Sequence, residues 1–229
     1  MHGKSHNPDY QAATASQPAG QHTLSGIYGA FRKNNSLSSA LASLLILEAM
    51  SALFAVIINQ LIPAEAINQP ASQIATILHW NAMAQIGLGI FIMLAFCIWT
   101  NRSCKNAWLL NPPKMKITPG WAAGYYFIPV LCFWKPYASL KEIRDASYGR
   151  HDKLAALLPL WWSCWIAFII ISGSSQFLMH SGTDQQALST AHKLGVIAAP
   201  MNIILNYLTI ALVVAVTLEQ NKRASEWRH

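Results

Sequence analysis

Charged residues are scarce in this chain. Asp, Glu, Lys and Arg together make up 11% of its 229 residues, whereas apolar residues make up 53%. Soluble domains carry about a quarter charged residues, so this chain has too few to cover a water-facing surface, and the composition favours a membrane protein. The net charge of +7 does not indicate nucleic-acid binding, because the basic residues flank apolar runs instead of forming a stripe.

The common motifs of catalytic, metal and cofactor sites are also missing from the sequence. It contains no Walker loop, HExxH, GxGxxG fingerprint or CxxCH haem-attachment motif. No two of its cysteines form a C-x-x-C pair, so buried thiols that act as small hydrophobic side chains are the simpler interpretation. The four cysteines are Cys97, Cys104, Cys132 and Cys164.

Four apolar runs are long enough to cross a bilayer. Each has at least the ~20 residues that span about 30 Å of hydrocarbon, and tryptophans near their ends favour the headgroup region. The runs cover residues 38–62, 77–99, 157–178 and 196–218. We predict an all-α membrane protein with four transmembrane helices inside a membrane domain of residues 37–218.

Polar segments flank this membrane domain. Residues 1–23 form a polar N-terminal tail, and residues 219–229 form a short C-terminal tail. Between the first tail and the first span, apolar residues recur at i, i+3, i+4 and i+7 from Leu24, and two basic residues follow. This spacing predicts an amphipathic helix over 24–36 that lies on the membrane surface.

A fifth apolar segment, residues 119–136, could add a span, but the distribution of basic residues argues against it. With four spans, 15 of the 16 Lys and Arg residues fall on one side of the membrane, and only Lys193 falls on the other. With a fifth span, the split would be eight against eight. We therefore predict four spans in a cytoplasmic (inner) membrane, with both termini cytoplasmic.

The segment 119–136 is short and aromatic, and Pro129 interrupts it. Irregular backbone at membrane depth must be covered by protein or by a water-filled cavity, so we expect a re-entrant or interfacial element that packs against the spans. Pro136 suits the first turn of the next helix. The residues after it predict a surface helix over 136–148 with one apolar side and one basic side.

The most distinctive stretch, TPGWAAGYYFIPVLCFWKPYASLKEIRDAS, begins at Thr118. It has a Pro-Gly-Trp start, an aromatic pair before Phe-Ile-Pro, and a Pro-Tyr before a short charged helix. In these features the chain resembles the bacterial membrane family known as domain of unknown function 4328, with Tyr125 and Tyr126 where that family often has two tryptophans. The resemblance extends from the first span to the fourth. It implies a membrane architecture but no activity, so no catalytic residue is carried over from it.

Glu48 lies near the middle of the first span, where an ionised side chain costs roughly 2.5–3.5 kcal/mol on insertion scales. We expect it to face the interior of the bundle, and three polar residues lie at a matching depth. The candidate buried polar site therefore consists of Glu48, Gln85, Asn202 and Asn206. The site would bind a proton or an ion, or it would supply an interhelical hydrogen bond that fixes packing; we favour the second interpretation.

Three histidines, His79, His180 and His192, lie at the predicted outer ends of the spans. They could converge on a metal or haem, but no ligand spacing specifies one, so interfacial polar side chains are the simpler interpretation. The serine-rich stretch 172–175 resembles a nucleophile motif, yet small residues at a helix contact explain it better. We expect no catalytic residue, no metal and no cofactor.

The region around 119–136 also offers a possible packing or partner platform. Gly120 and Gly124 form a G-x-x-x-G pair that predicts a packing notch, and the nearby basic residues could hold anionic lipid headgroups. The residues of this platform are Gly120, Trp121, Gly124, Tyr125, Tyr126, Pro129, Pro136 and Tyr137.

Three functions are compatible with these features. The leading hypothesis is a non-enzymatic accessory, assembly or scaffold subunit, because no catalytic constellation occurs and the predicted outer loops are short. The second is a small transporter or channel component that uses Glu48 and the broken segment 119–136, and the third is a lipid-binding or lipid-acting protein. The expected partners are the lipid bilayer and other membrane subunits or further copies of this chain, and not nucleic acid.

Overall fold

The computed structural model describes residues 26, 28–62, 73–148, 155–181 and 184–226. The N-terminal tail predicted over 1–23 therefore lies outside the described residues. The α-helices are α1 (Asn35–Leu61), α2 (Gln73–Leu110), α3 (Pro119–Gly124), α4 (Lys135–Tyr148), α5 (Leu157–Ser181) and α6 (Gln185–Glu226). Three short 3-10 turns occupy the links on either side of α3, at Pro112–Lys114, Tyr125–Phe127 and Leu131–Phe133.

Four of these helices, α1, α2, α5 and α6, are long and apolar enough to cross a membrane, and no other helix in the described ranges is. The predicted four-span, all-helical architecture is confirmed. Two spans are much longer than predicted, because α2 runs from Gln73 to Leu110 instead of over 77–99, and α6 runs from Gln185 to Glu226 instead of over 196–218. At about 1.5 Å per residue these helices are about 57 and 63 Å long, well beyond the ~30 Å of a hydrocarbon core.

The additional C-terminal turns of α2 and of α6 meet at one end of the bundle. Gln220 is 1% exposed, and its Nε2 donates to Ser103 O at 2.9 Å and to Ser147 Oγ at 3.0 Å. Asn221, its neighbour, donates to Asn35 at the start of α1. The beginning of the first span and the end of the fourth therefore lie together, as an even number of spans requires. We call this the basic end, because most of the lysines and arginines lie near it.

The chain before α1 is not one continuous helix. Gly29 has a φ of +79°, a conformation that glycine adopts without a steric penalty, and residues 29–34 carry no helix. The surface helix predicted over 24–36 does not continue through them. Instead the segment packs along α2, where the ring of Tyr28 stacks on Trp108 with centroids 5.3 Å apart.

The segment 119–136 does not span. It consists of α3, which has six residues, followed by two 3-10 turns. Its inner side packs on the spans, because Ala122 is fully buried and Tyr126 meets Phe96 of α2 edge to face at 5.7 Å. Large apolar side chains such as Phe127 and Val130 are exposed on its outer side. This arrangement fits the interfacial alternative, and α4 follows it where a helix was predicted over 136–148.

Gly120 and Gly124 form no packing notch. A Cβ at Gly120 would meet no atom within 4 Å, and at Gly124 the nearest atom is on a tryptophan ring at 3.8 Å. Small residues come together instead between α5 and α6, where a Cβ on Gly195 would lie 3.5 Å from Ser175 Oγ. That hydroxyl donates to Ala191 O at 2.8 Å, so part of the serine stretch belongs to a helix contact.

Two buried tryptophans attach α2 and α5 to α6 through their indole N–H groups. Trp99 of α2 donates to Thr217 Oγ1 at 3.0 Å, and Trp161 of α5 donates to Thr209 Oγ1 at 2.8 Å. The two threonines are about two helical turns apart, so they lie on the same side of α6. This side is therefore the common surface on which the other spans are held.

Replacing Thr217 with valine should lower the free energy of unfolding by about 1 kcal/mol. The substitution keeps the side-chain shape but leaves the buried Trp99 N–H without its acceptor. The measurement is reversible unfolding in mixed micelles of mild and denaturing detergent. Thr190→Val is the matched control, because the Thr190 hydroxyl is exposed and bonds only within its own helix. Equal losses in the two variants would contradict the prediction.

Candidate functional site

Glu48 of α1 accepts hydrogen bonds from two amides of α6. Asn202 Nδ2 donates to Oε1 at 2.7 Å, and Asn206 Nδ2 donates to Oε2. Because the two asparagines are four residues apart, they lie on the same face of the helix and reach one carboxylate. Gln85, the third residue selected by depth, lies on α2 and lines the same cavity as Glu48. These bonds join α1 to α6 inside the membrane-spanning region.

This cavity has a volume of about 540 Å³ and lies among the four spans. Its polar lining includes Glu48, the two asparagines, Gln85 and Thr209, and the remainder is largely apolar. Aromatic side chains contribute much of the wall, namely Phe96, Tyr126, Trp161, Trp165 and Phe168. Glu48 is therefore not sealed between two helices, because it borders an open space as well as its two amide partners.

Three aromatic side chains in contact with one another form the wall of this cavity nearest the basic end. The rings of Phe96 and Trp161 are 6.0 Å apart between centroids, and Tyr126 meets Phe96 from the interfacial segment. Tyr126 Oη is buried and has no hydrogen-bond partner of normal geometry among the described residues. Burial raises the pKa of Tyr126 well above its ordinary value.

A second cavity, of about 610 Å³, adjoins the first on the side away from the basic end. The two share lining residues, including Gln85, Gln176 and Asn202. His180 and His192 both line the second cavity. In the described part of the chain, no group of three or more His, Cys, Asp or Glu side chains could hold a metal ion.

Away from the basic end, α2 and α5 diverge. These two helices make little direct contact, although they meet at Phe96 and Trp161 near the basic end. On the α2 wall of the cavity that contains Glu48, Ile86 is 60% exposed. The space between the second and third spans is therefore a groove whose α2 wall is partly exposed.

The segment that supplies Tyr126 also carries the family signature. The family model described as domain of unknown function (DUF4328) matches residues 65–218, which is more than half of the chain. The chain belongs to the DUF4328 family. No curated protein and no solved structure matches it. The match includes α2, α5 and most of α6 but begins after α1, so the expected extension to the first span is wrong and Glu48 lies outside the matched region.

The platform residues of this DUF4328 protein divide between two environments. Trp121 and Tyr125 stack at 5.3 Å on the outer side, where Lys135 Nζ lies 5.7 Å from the Tyr125 ring centroid. Tyr126 and Tyr137 instead point to the spans, and Tyr137 contacts Trp162 of α5 at 6.1 Å. Pro136 is buried in the first turn of α4, whereas Pro129 is exposed. The structure therefore does not assemble these residues into one surface.

The aromatic wall of the cavity was not predicted from the sequence. Trp161 and Trp165 are four residues apart and so lie on one face of α5, but their positions near the end of a span favoured a headgroup role. Trp161 is instead 3% exposed. The i, i+4 spacing, considered together with a carboxylate in another span, was the signal that could have revealed the site.

Proposed function

We propose that this DUF4328 protein is a non-enzymatic multi-pass membrane protein that binds an amphipathic organic cation beside Glu48, as a small transporter or a component of one. The observation that supports this proposal is a carboxylate that borders an aromatic cavity within the spans. The proposal develops the second hypothesis drawn from the sequence. The accessory-subunit hypothesis stays a prediction, because no contact among the described residues identifies a partner.

The charge of the cavity favours a cation. Glu48 is the only residue with a formal charge in the described lining of its own cavity, the one of about 540 Å³. A carboxylate has two oxygens with about four lone-pair sites, and the amides of Asn202 and Asn206 use two of them. The remaining acceptor capacity is available to a positively charged group, and an opposite charge is strongly favoured where water is scarce.

The walls of the cavity favour an organic cation over a metal ion. The volume of about 540 Å³ lies within the ~300–1,000 Å³ range of small-molecule sites and far exceeds the space that a bare ion fills. Aromatic faces attract cations by about 0.5–2 kcal/mol each, and Trp161, Trp165 and Tyr126 line the space. Apolar side chains on the remaining walls suit rings or alkyl groups.

The adjoining cavity supplies a route to this site. Its lining includes Gln176, His180 and His192, so polar side chains extend from the level of Asn202 toward the end opposite the basic end. The divergence of α2 and α5 offers a second entrance from the lipid. Passage toward the basic end requires separation of the contacts among Phe96, Trp161 and Tyr126, which makes this aromatic contact the expected gate.

We also propose that the basic end faces the cytoplasm of a bacterial cell, because 15 of the 16 Lys and Arg residues lie on one side of a four-span arrangement. Single cysteines placed in a cysteine-free variant test this orientation. Asp184→Cys should react with a membrane-impermeant maleimide in intact cells, whereas Ser225→Cys should react only after permeabilisation. The opposite pattern would overturn the proposed orientation.

Tetraphenylphosphonium is a suitable probe for the cavity, since tetraphenylborate has almost the same shape and the opposite charge. We expect the cation to bind the detergent-purified protein and to change its tryptophan fluorescence, and the anion to bind at least tenfold more weakly. Glu48→Gln should weaken binding of the cation by about tenfold or more, because about 1.4 kcal/mol of lost attraction changes affinity tenfold.

Glu219→Gln is the control for this measurement. It makes the same substitution in α6 near the basic end, outside the described lining of both cavities, and should leave binding unchanged. Glutamine at 48 keeps oxygen and nitrogen atoms that can bond to the asparagine amides, so the variant is expected to fold. Equal binding of the two probes, or an unchanged affinity in Glu48→Gln, would refute the proposed function.

A further inference from the structure

A third cavity lies at the basic end, away from Glu48. It has a volume of about 420 Å³ and is enclosed by the segment before α1, the last turns of α2 and α3. Three cationic side chains line it, those of Arg32, Arg102 and Lys105, and the described lining contains no acidic residue. In the ranges that the structure describes, none of the three forms a salt bridge. A concave surface therefore carries three positive charges, and no acidic partner for them lies among the described residues.

The position of Arg32 is fixed by its backbone. Asn106, which is 3% exposed, donates from Nδ2 to Arg32 O at 2.9 Å and accepts the Arg32 N–H at 3.2 Å. Two residues farther along, Asn34 Nδ2 donates to Ser103 Oγ at 3.3 Å. These bonds use only the backbone of Arg32 and hold its Cα beside α2. The guanidinium of Arg32 takes part in none of them. The cavity is thus built by buried polar contacts.

The charges on α2 repel one another in the absence of a ligand. Arg102 and Lys105 are three residues apart and are neighbours on the helix surface, where like charges destabilise. Arg32 adds a third positive charge from the adjacent segment. A bound anion would offset this repulsion, and the planar guanidinium groups suit the paired oxygens of a phosphate.

We propose that this cavity binds a phosphate group, and that its source is the headgroup of an anionic phospholipid. Cys97 and Ile98 line the same cavity one turn deeper in the span than Asn101, and Ile98 is 50% exposed. A phosphate held by the three cations would therefore have an apolar path for an acyl chain beside it. Anionic lipids attract basic residues at a membrane surface. The inference is independent of the cation proposed for the Glu48 cavity.

The test compares two charge-matched triple variants of the full chain. The site variant is Arg32→Gln, Arg102→Gln and Lys105→Gln. The control variant, Lys116→Gln, Lys141→Gln and Lys222→Gln, removes the same charge from exposed positions outside the described lining. Binding of phosphatidylglycerol and phosphatidylcholine is measured by native mass spectrometry, and binding of sn-glycerol 3-phosphate and inorganic phosphate by calorimetry.

We expect phosphatidylglycerol to bind the natural protein and the control variant in preference to phosphatidylcholine. The site variant should bind it on the order of a hundredfold more weakly, and Arg102→Gln alone about fivefold more weakly, since each basic residue contributes a comparable factor. Equal losses of phosphatidylglycerol affinity in the two triple variants would overturn the proposed site. Binding of glycerol 3-phosphate or phosphate as tight as that of the lipid would overturn the lipid as its source.

Folding of the site variant is checked separately by thermal unfolding in the same detergent. The structural bonds of this region use the Arg32 backbone and the Asn106 side chain, which the substitutions leave in place. Arg102→Gln changes a single side chain and serves as the second variant. An unchanged phosphatidylglycerol affinity in Arg102→Gln and in the triple variant would reject the proposal.

Discussion

The structure depends first on the need of a carboxylate inside a bilayer for hydrogen-bond donors. An unsatisfied charge at that depth costs several kcal/mol, and the amides of Asn202 and Asn206 reduce that cost for Glu48. Their bonds fix α1 against α6, while Thr209 and Thr217 of α6 receive the indoles of Trp161 and Trp99. The other spans are therefore attached to α6 by polar contacts, and a cavity is left where α2 and α5 diverge.

The sequence predicted the parts of the fold that hydropathy and charge control. The four spans, the short segment 119–136 and the helix after Pro136 follow from the lengths of apolar runs and the positions of basic residues. The extensions of α2 and α6 do not, because polar helix beyond the bilayer resembles a loop in a hydropathy profile. The turn at Gly29 could not be predicted either. The apolar spacing from Leu24 is that of a continuous helix, whereas the backbone turns at Gly29.

The candidate site was predicted in part. Depth alone selected Asn202 and Asn206, which contact Glu48, but packing and ligand binding were treated as alternatives for that residue. The structure places Glu48 in both environments, because the same residue bonds to α6 and borders a cavity. Such a cavity depends on the angles between helices and on the side chains of all four spans at once. Its chemistry also differs from that at the basic end, where Arg32 and Arg102 border a cationic cavity.

A double-mutant cycle between Glu48 and Asn206 tests most directly whether this carboxylate organises the bundle. Glu48→Ala, Asn206→Ala and the double variant are unfolded reversibly in mixed micelles. A hydrogen bond to a charged group predicts a coupling energy of about 1 kcal/mol or more, so the second substitution should cost much less in the background of the first. Losses that add within about 0.3 kcal/mol would contradict the account, because the two side chains would then not depend on each other.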